Sequence, residues 1–134
     1  MTAVVCIDDK NGMMFNKRRQ SRDSILIDDL MSLCSGKVLH MCEYSRSLFE
    51  NYQEKISVDE NFPESAGKHD ICFIENADLS SYAERIDKLI IYRWNRHYPS
   101  DLKLTLDLSE YKLQNRTEFK GSSHDKITRE EYIK

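Results

Sequence analysis

The chain lacks the features that mark several large classes of protein. No apolar run approaches the roughly 18 residues needed to cross a bilayer, and no cationic segment precedes a hydrophobic one at the N-terminus. Neither a membrane span nor a secretory signal is therefore expected. No two cysteines are spaced C-x-x-C, and none of the 4 histidines falls in an H-x-H-x-D-H or H-E-x-x-H pattern, so zinc-site and metallohydrolase signatures are missing. The motifs G-x-S-x-G, G-x-G-x-x-G and G-x-x-x-x-G-K-[ST] do not occur. There is no excess of positive charge either: 20 lysines and arginines face 23 acids, for a formal net charge of −3. That argues against a general nucleic-acid binder, though it leaves room for a local basic pocket. Internal repeats, linkers and low-complexity tracts are also absent.

What remains is a chain of 134 residues, 40% hydrophobic and 32% charged. This length suits one domain that buries about two thirds of its unfolded surface and needs no covalent staple. Cys6, Cys34, Cys42 and Cys72 are widely spaced, and Cys6, Cys42 and Cys72 lie in or beside apolar runs. They read as buried, reduced thiols, which predicts a cytoplasmic protein.

Apolar runs at Thr2–Ile7, Lys37–Cys42, Ile71–Ile74 and Lys88–Trp94 predict strands covered on both faces. Between them fall helical patterns. The first runs from about Arg22 to Cys34, with Ser21 or Asp23 as cap, Gly36 as stop and Leu26, Ile27, Leu30, Leu33 and Cys34 inward. Asp23 falls on the inward face of this helix, Asp28 and Asp29 on the solvent face. A second, short helix is expected over Tyr44–Tyr52 with Ser45 as cap, and a third from the cap Asp78 to Ile86. A short strand is expected at Ile56–Val58. Beyond Pro99 the period changes to two, through Leu102, Leu104 and Leu106 and again from Tyr111 to Lys120, followed by a turn at Gly121–Asp125 and a last strand at Ile127–Ile133. Strand–helix units followed by a hairpin predict a single α/β domain, residues 1–134, with a mostly parallel central sheet, flanking helices and a C-terminal antiparallel hairpin.

Lys17, Arg18, Arg19 and Arg22 lie between the first strand and the first helix, immediately before Asp23. In an open α/β sheet the loop after the first strand faces the ligand crevice. Arginines there can grip a phosphate or carboxylate, helped by free N–H groups at the helix start. Asp23 is a candidate ligand-holding or proton-relaying acid, and its neighbouring cations favour the ionised form. A solvated basic loop and a plain helix cap account for the same residues. Tyr92, Trp94 and Tyr98 read equally as core, pocket wall or interface.

The stretches Asp107–Leu113, Glu118-Phe119 and Ser123-His124 resemble the C-terminal hairpin of dihydrofolate reductases, and Ala3–Gly12 resembles that family's first strand and loop. The resemblance covers most of a chain shorter than a typical member. It implies the same α/β architecture and puts Asp23 where the family keeps the acid that holds its pterin. It also implies where the cofactor NADPH would sit, and there the residues depart. The family's Gly-Arg-x-Thr is replaced by Cys42-Glu43-Tyr44-Ser45, and its Gly-Gly pair by Glu75-Asn76-Ala77. Acids now stand where phosphates would lie, and Lys17-Arg18-Arg19 replaces a usual tryptophan. The expectation is a protein that binds a small anionic or heterocyclic ligand through Lys17, Arg18, Arg19, Arg22 and Asp23, without NADPH and without ordinary reductase activity. The alternatives are a reductase of a pterin-like heterocycle with an altered cofactor mode, and a non-catalytic homo-oligomeric interaction protein.

Overall fold

In the computed structural model, which describes residues 1–134, the apolar runs form the centre of a seven-stranded sheet. Strands β1 (Thr2–Ile7), β2 (Gly12–Phe15) and β3 (Arg18–Arg19) precede the helix α1 (Ser24–Cys34). They are followed by β4 (Leu39–Met41), β5 (Ile56–Val58), β6 (Ile71–Phe73), β7 (Lys88–Arg93), β8 (Leu102–Lys103), β9 (Lys112–Phe119) and β10 (Ile127–Ile133). The main sheet has the order β5-β4-β6-β1-β7-β10-β9. Its first five strands are parallel, while β10 runs antiparallel to β7 and β9 antiparallel to β10.

The central pair β1 and β7 is in register from Thr2 opposite Lys88 to Ile7 opposite Arg93. Both faces of this pair are covered, so its residues are continuously apolar instead of alternating. On one face the stripe Leu26, Ile27, Leu30, Met31 and Cys34 of α1 packs with Val4, Phe73, Tyr92 and Ile127. On the other, Val5, Ile7, Leu89 and Ile91 meet Leu79, Ile86, Leu104 and Tyr111. Each such side chain, fully buried, contributes about 1.5–3 kcal/mol. No helix is long and apolar enough to cross a membrane, and all four cysteines are free thiols.

Several local expectations are corrected. The short helix expected over Tyr44–Tyr52 is 3₁₀ and longer, Glu43–Lys55, and it leaves helical geometry at Phe49 and Tyr52. Phe49 is wedged edge-on against Phe73 at 5.3 Å, and Tyr52 donates to Asp28 at 2.6 Å, so side-chain anchoring wins over a regular ladder. Ser45 is not its cap; Cys42 holds that position and Ser45 is buried. Leu79–Arg85 is also 3₁₀, with Asp78 capping it as expected. Asp29 is not on a solvent face, because it accepts from the Tyr92 hydroxyl at 2.6 Å and from Arg129 at 2.7 Å. Within α1 it is Met31, not Leu33, that completes the buried stripe. The alternation at Leu102–Leu106 belongs to no long strand: β8 pairs with β2, while Leu104 and Leu106 turn into the core.

The basic run is partly a hairpin. Phe15 pairs with Arg18 and Met14 with Arg19 across a two-residue turn, Asn16 and Lys17, whose φ angles are 51° and 61°. Two successive positive φ values fit the tight turn that matches strand twist, usually written Asn-Gly. Lysine in the second position hides that signal and carries a steric cost between Cβ and backbone.

Lys17→Gly should therefore raise stability by about 0.5–1 kcal/mol in urea unfolding. Leu30→Ala, which empties a fully buried position on α1, should lower it by about 2–5 kcal/mol in the same measurement.

Candidate functional site

The N-terminus of α1, the C-terminal ends of β1, β6 and β7, and the turn between β9 and β10 meet at one end of the sheet. Asp23 lies at their junction. Its backbone is extended (φ −155°, ψ 122°), the geometry of a cap. Oδ1 accepts from the N–H groups of Ile25 (3.0 Å) and Leu26 (3.3 Å), which are free donors of the first helical turn. It also accepts from the N–H of Ser122 at 2.9 Å. Oδ2 accepts from the N–H of Ser123 at 2.9 Å and lies 2.9 Å from Nδ1 of His124. One carboxylate thus ties the helix to the β9–β10 turn, 101 residues away. Burial works to raise the pKa of Asp23, but the bonds from His124, Ser122, Ser123 and Leu26 outweigh it and hold the carboxyl well below its usual range.

The close approach dictates Gly121. A Cβ there would meet the Asp23 carboxylate, with Asp23 Cγ and Ile127 Cδ1 each at 2.8 Å. The turn closes with Gly121 N–H donating to His124 O at 2.9 Å.

His124 is the centre of a second set of contacts. Its ring is 1% exposed and stacks on Trp94, with centroids 4.5 Å apart. Nε2 lies 3.0 Å from Ser21 Oγ and 3.1 Å from the Tyr98 hydroxyl. Because the carboxylate of Asp23 can only accept, Nδ1 carries a proton. In the neutral ring Nε2 then offers a single acceptor lone pair, for which the Ser21 and Tyr98 hydroxyls compete.

Ser21, Arg22 and Asp23 line a recess together with Cys6, Arg19, Leu26, Phe73, Glu75 and Trp94. Its free space is about 20 Å³, room for roughly one water molecule. A wider groove of about 300 Å³ adjoins it, sharing Arg22, Asp23, Ile27 and Leu48. Arg19 and Glu75 pair with each other along the wall of the recess. Arg19 Nε donates to Glu75 Oε1 at 2.8 Å and one terminal nitrogen to Oε2 at 3.0 Å, a bidentate pair. Ser45 Oγ donates to the same carboxylate at 2.7 Å. The guanidinium also lies 4.4 Å over the Tyr44 ring and donates to the Tyr44 carbonyl at 3.0 Å. Burial acts to lower the pKa of Arg19, and the bonds and charge of Glu75 raise it overall. Burial, then Glu75, pushes the Cys6 thiol up, so Cys6 is not an activated nucleophile.

The expected site residues therefore separate. Arg19, Arg22 and Asp23 share the recess. Lys17, on the hairpin tip, lines a different hollow with Met14, Tyr44 and Asp101, and Arg18 another with Phe15 and Tyr98. Among the three at the recess, Arg19 is engaged by Glu75, while the Arg22 guanidinium has no ion-pair partner. His124, which the sequence marks only as part of the C-terminal hairpin, joins them at the site. The signal was topological: β10 lies antiparallel to β7, so the turn that starts β10 returns to the end where β1 and β7 stop, beside the start of α1.

This architecture is the dihydrofolate reductase fold. Dihydrofolate reductase from Enterococcus faecalis, solved with NADP(H) and RAB-propyl, is similar to this chain with a TM-score of 0.62, covering 98% of this chain and 94% of its own, at 11% identity. No family model and no curated protein matches the chain in sequence. At such identity the likeness is one of fold, and function has to be argued from the site.

Two variants probe the junction. Gly121→Ala should cost about 1–3 kcal/mol by overpacking against Asp23 and Ile127. Asp23→Asn should cost about 3–5 kcal/mol at neutral pH, since the partners of a buried charge lose their match. The folded pKa of Asp23 lies below the unfolded value, so its contribution is present above about pH 4 and lost as pH falls below that. The stability gap between the wild type and Asp23→Asn, read by urea unfolding, should accordingly shrink from pH 7 to pH 3.

Proposed function

We propose that the protein binds a small anionic or heterocyclic ligand in the crevice beside Asp23 and Arg22, and that it does not work as an ordinary NADPH-dependent reductase. The observation that carries this reading is the buried carboxylate of Glu75, clamped by Arg19 and Ser45 at the end of β6. The resemblance puts the cofactor's phosphates at this end of the crevice. With the pair intact its charges cancel and Arg19 is not available to a phosphate; with Arg19 drawn away, a phosphate about 4 Å from the bare carboxylate would be repelled by about 4 kcal/mol at an effective dielectric of about 20. Opening the Arg19–Glu75 pair to accommodate one would itself cost about 3–5 kcal/mol. The other end has an aromatic wall in Trp94 and a free cation in Arg22, which suits a ligand that offers a ring and a negative group.

Trp94 is the sole tryptophan and lines the recess, so its fluorescence reports occupancy directly. Titration with NADPH should leave fluorescence and melting temperature unchanged; tight binding would overturn the non-reductase reading. A thermal-shift screen of anionic metabolites, folates and nucleotides should give at least one hit that weakens ten-fold or more in Arg22→Ala. A screen without any hit would favour the homo-oligomeric interaction protein, which light scattering would detect.

A further inference from the structure

We propose that Ser21, His124 and Asp23 form a nucleophilic centre that hydrolyses small acyl esters. This deepens the ligand-binding reading and rests on it in one respect, that the recess admits a small molecule. The three side chains follow the order nucleophile, base and orienting acid: Ser21 Oγ to His124 Nε2 is 3.0 Å, and His124 Nδ1 to Asp23 Oδ2 is 2.9 Å. Both distances fall in the range that a general base and its orienter need. The relation is recognised by geometry and roles rather than by sequence motif or chain order.

The surroundings fit the roles. Trp94 stacks on the imidazole with the planes 24° apart, and the acid holds Nδ1, so the ring has one orientation. Asp23 divides its work, Oδ1 serving the helix start and Oδ2 the histidine. The strong hold on its ionised form means that it steadies an imidazolium without taking the proton itself. Ser21, unlike the two buried partners, is half-exposed and lines the recess. Arg22, without an ion-pair partner, lines both the recess and the groove and is the nearest unspent cation to a developing negative charge there.

In the first step Ser21 Oγ bonds to the acyl carbon as its proton passes to Nε2. The tetrahedral adduct then collapses, the carbon–oxygen bond to the alcohol breaks, and the alcohol leaves with the proton from Nε2. Water, giving its proton to Nε2, next attacks the acyl-serine; the ester bond to Oγ breaks, Oγ regains the proton, and a carboxylic acid departs. No electrons are exchanged with an outside reagent. Only about 20 Å³ is free beside Ser21, the room of about one water, so the ester enters the recess no further than its carbonyl oxygen and the rest of it lies outside. The adjoining groove of about 300 Å³ takes the alcohol part.

The test treats the full chain with a fluorophosphonate probe and, separately, with p-nitrophenyl acetate. The expected result is one adduct by intact mass, mapped to Ser21, and esterase turnover that falls at least about 100-fold in Ser21→Ala and His124→Gln. Tyr98→Phe, which removes the competing hydroxyl from Nε2, should speed labelling. Ser21→Ala loses one half-exposed hydroxyl and should keep the wild-type circular dichroism, so it decides the matter if His124→Gln misfolds. Absence of a Ser21 adduct, or turnover unchanged in folded Ser21→Ala, would overturn the proposal. The binding reading fails separately: it falls if no anionic metabolite shifts the melting temperature, whether or not Ser21 is labelled.

Discussion

A carboxylate shut away from water must be surrounded by donors or lose its charge. At Asp23 this constraint organises the end of the sheet where α1 and the C-terminal hairpin meet. Its oxygens absorb the free N–H groups at the start of α1 and, at the same time, those of Ser122 and Ser123. The helix and the C-terminal hairpin are thereby held in one relation, with His124 delivered to the same carboxylate. Glycine at 121 follows from the closeness of that approach.

The same solution recurs across the fold. Glu75 is enclosed by Arg19 and Ser45, and Glu130 by Arg93 at 2.6 Å and Arg116 at 2.7 Å. Asp8, 1% exposed, accepts from the N–H groups of Lys10, Gly12 and Tyr98. The high charged fraction of the sequence is therefore not only a solvated surface. Part of it is an internal framework that joins loops to the sheet edge, where apolar packing alone would leave them unspecified. Buried pairs of this kind give little net stability over apolar substitutes, but losing one partner is costly.

For function, the crevice has two unlike ends. Around Glu75 the charges cancel internally and the space is filled. Around Asp23 and Arg22 an aromatic wall, a hydroxyl-bearing serine and an unpaired cation face a narrow opening. It is at this second end that we propose a small ligand binds.

The sequence alone established the sheet and its handover from parallel units to an antiparallel hairpin, because buried strands and half-buried strands differ in period, and period is a local property. It also put Asp23 on the inward face, since helical spacing from Ile27, Leu30 and Cys34 fixes that. It could not show that Arg19 would be consumed by Glu75, 56 residues away, or that Lys17 and Arg18 would be carried off by a hairpin. Nor could it single out His124 from the other histidines. Those outcomes depend on which buried charge finds which partner once the strands are in place. Such pairing is decided by distance in space, which tertiary structure sets and local sequence pattern does not encode.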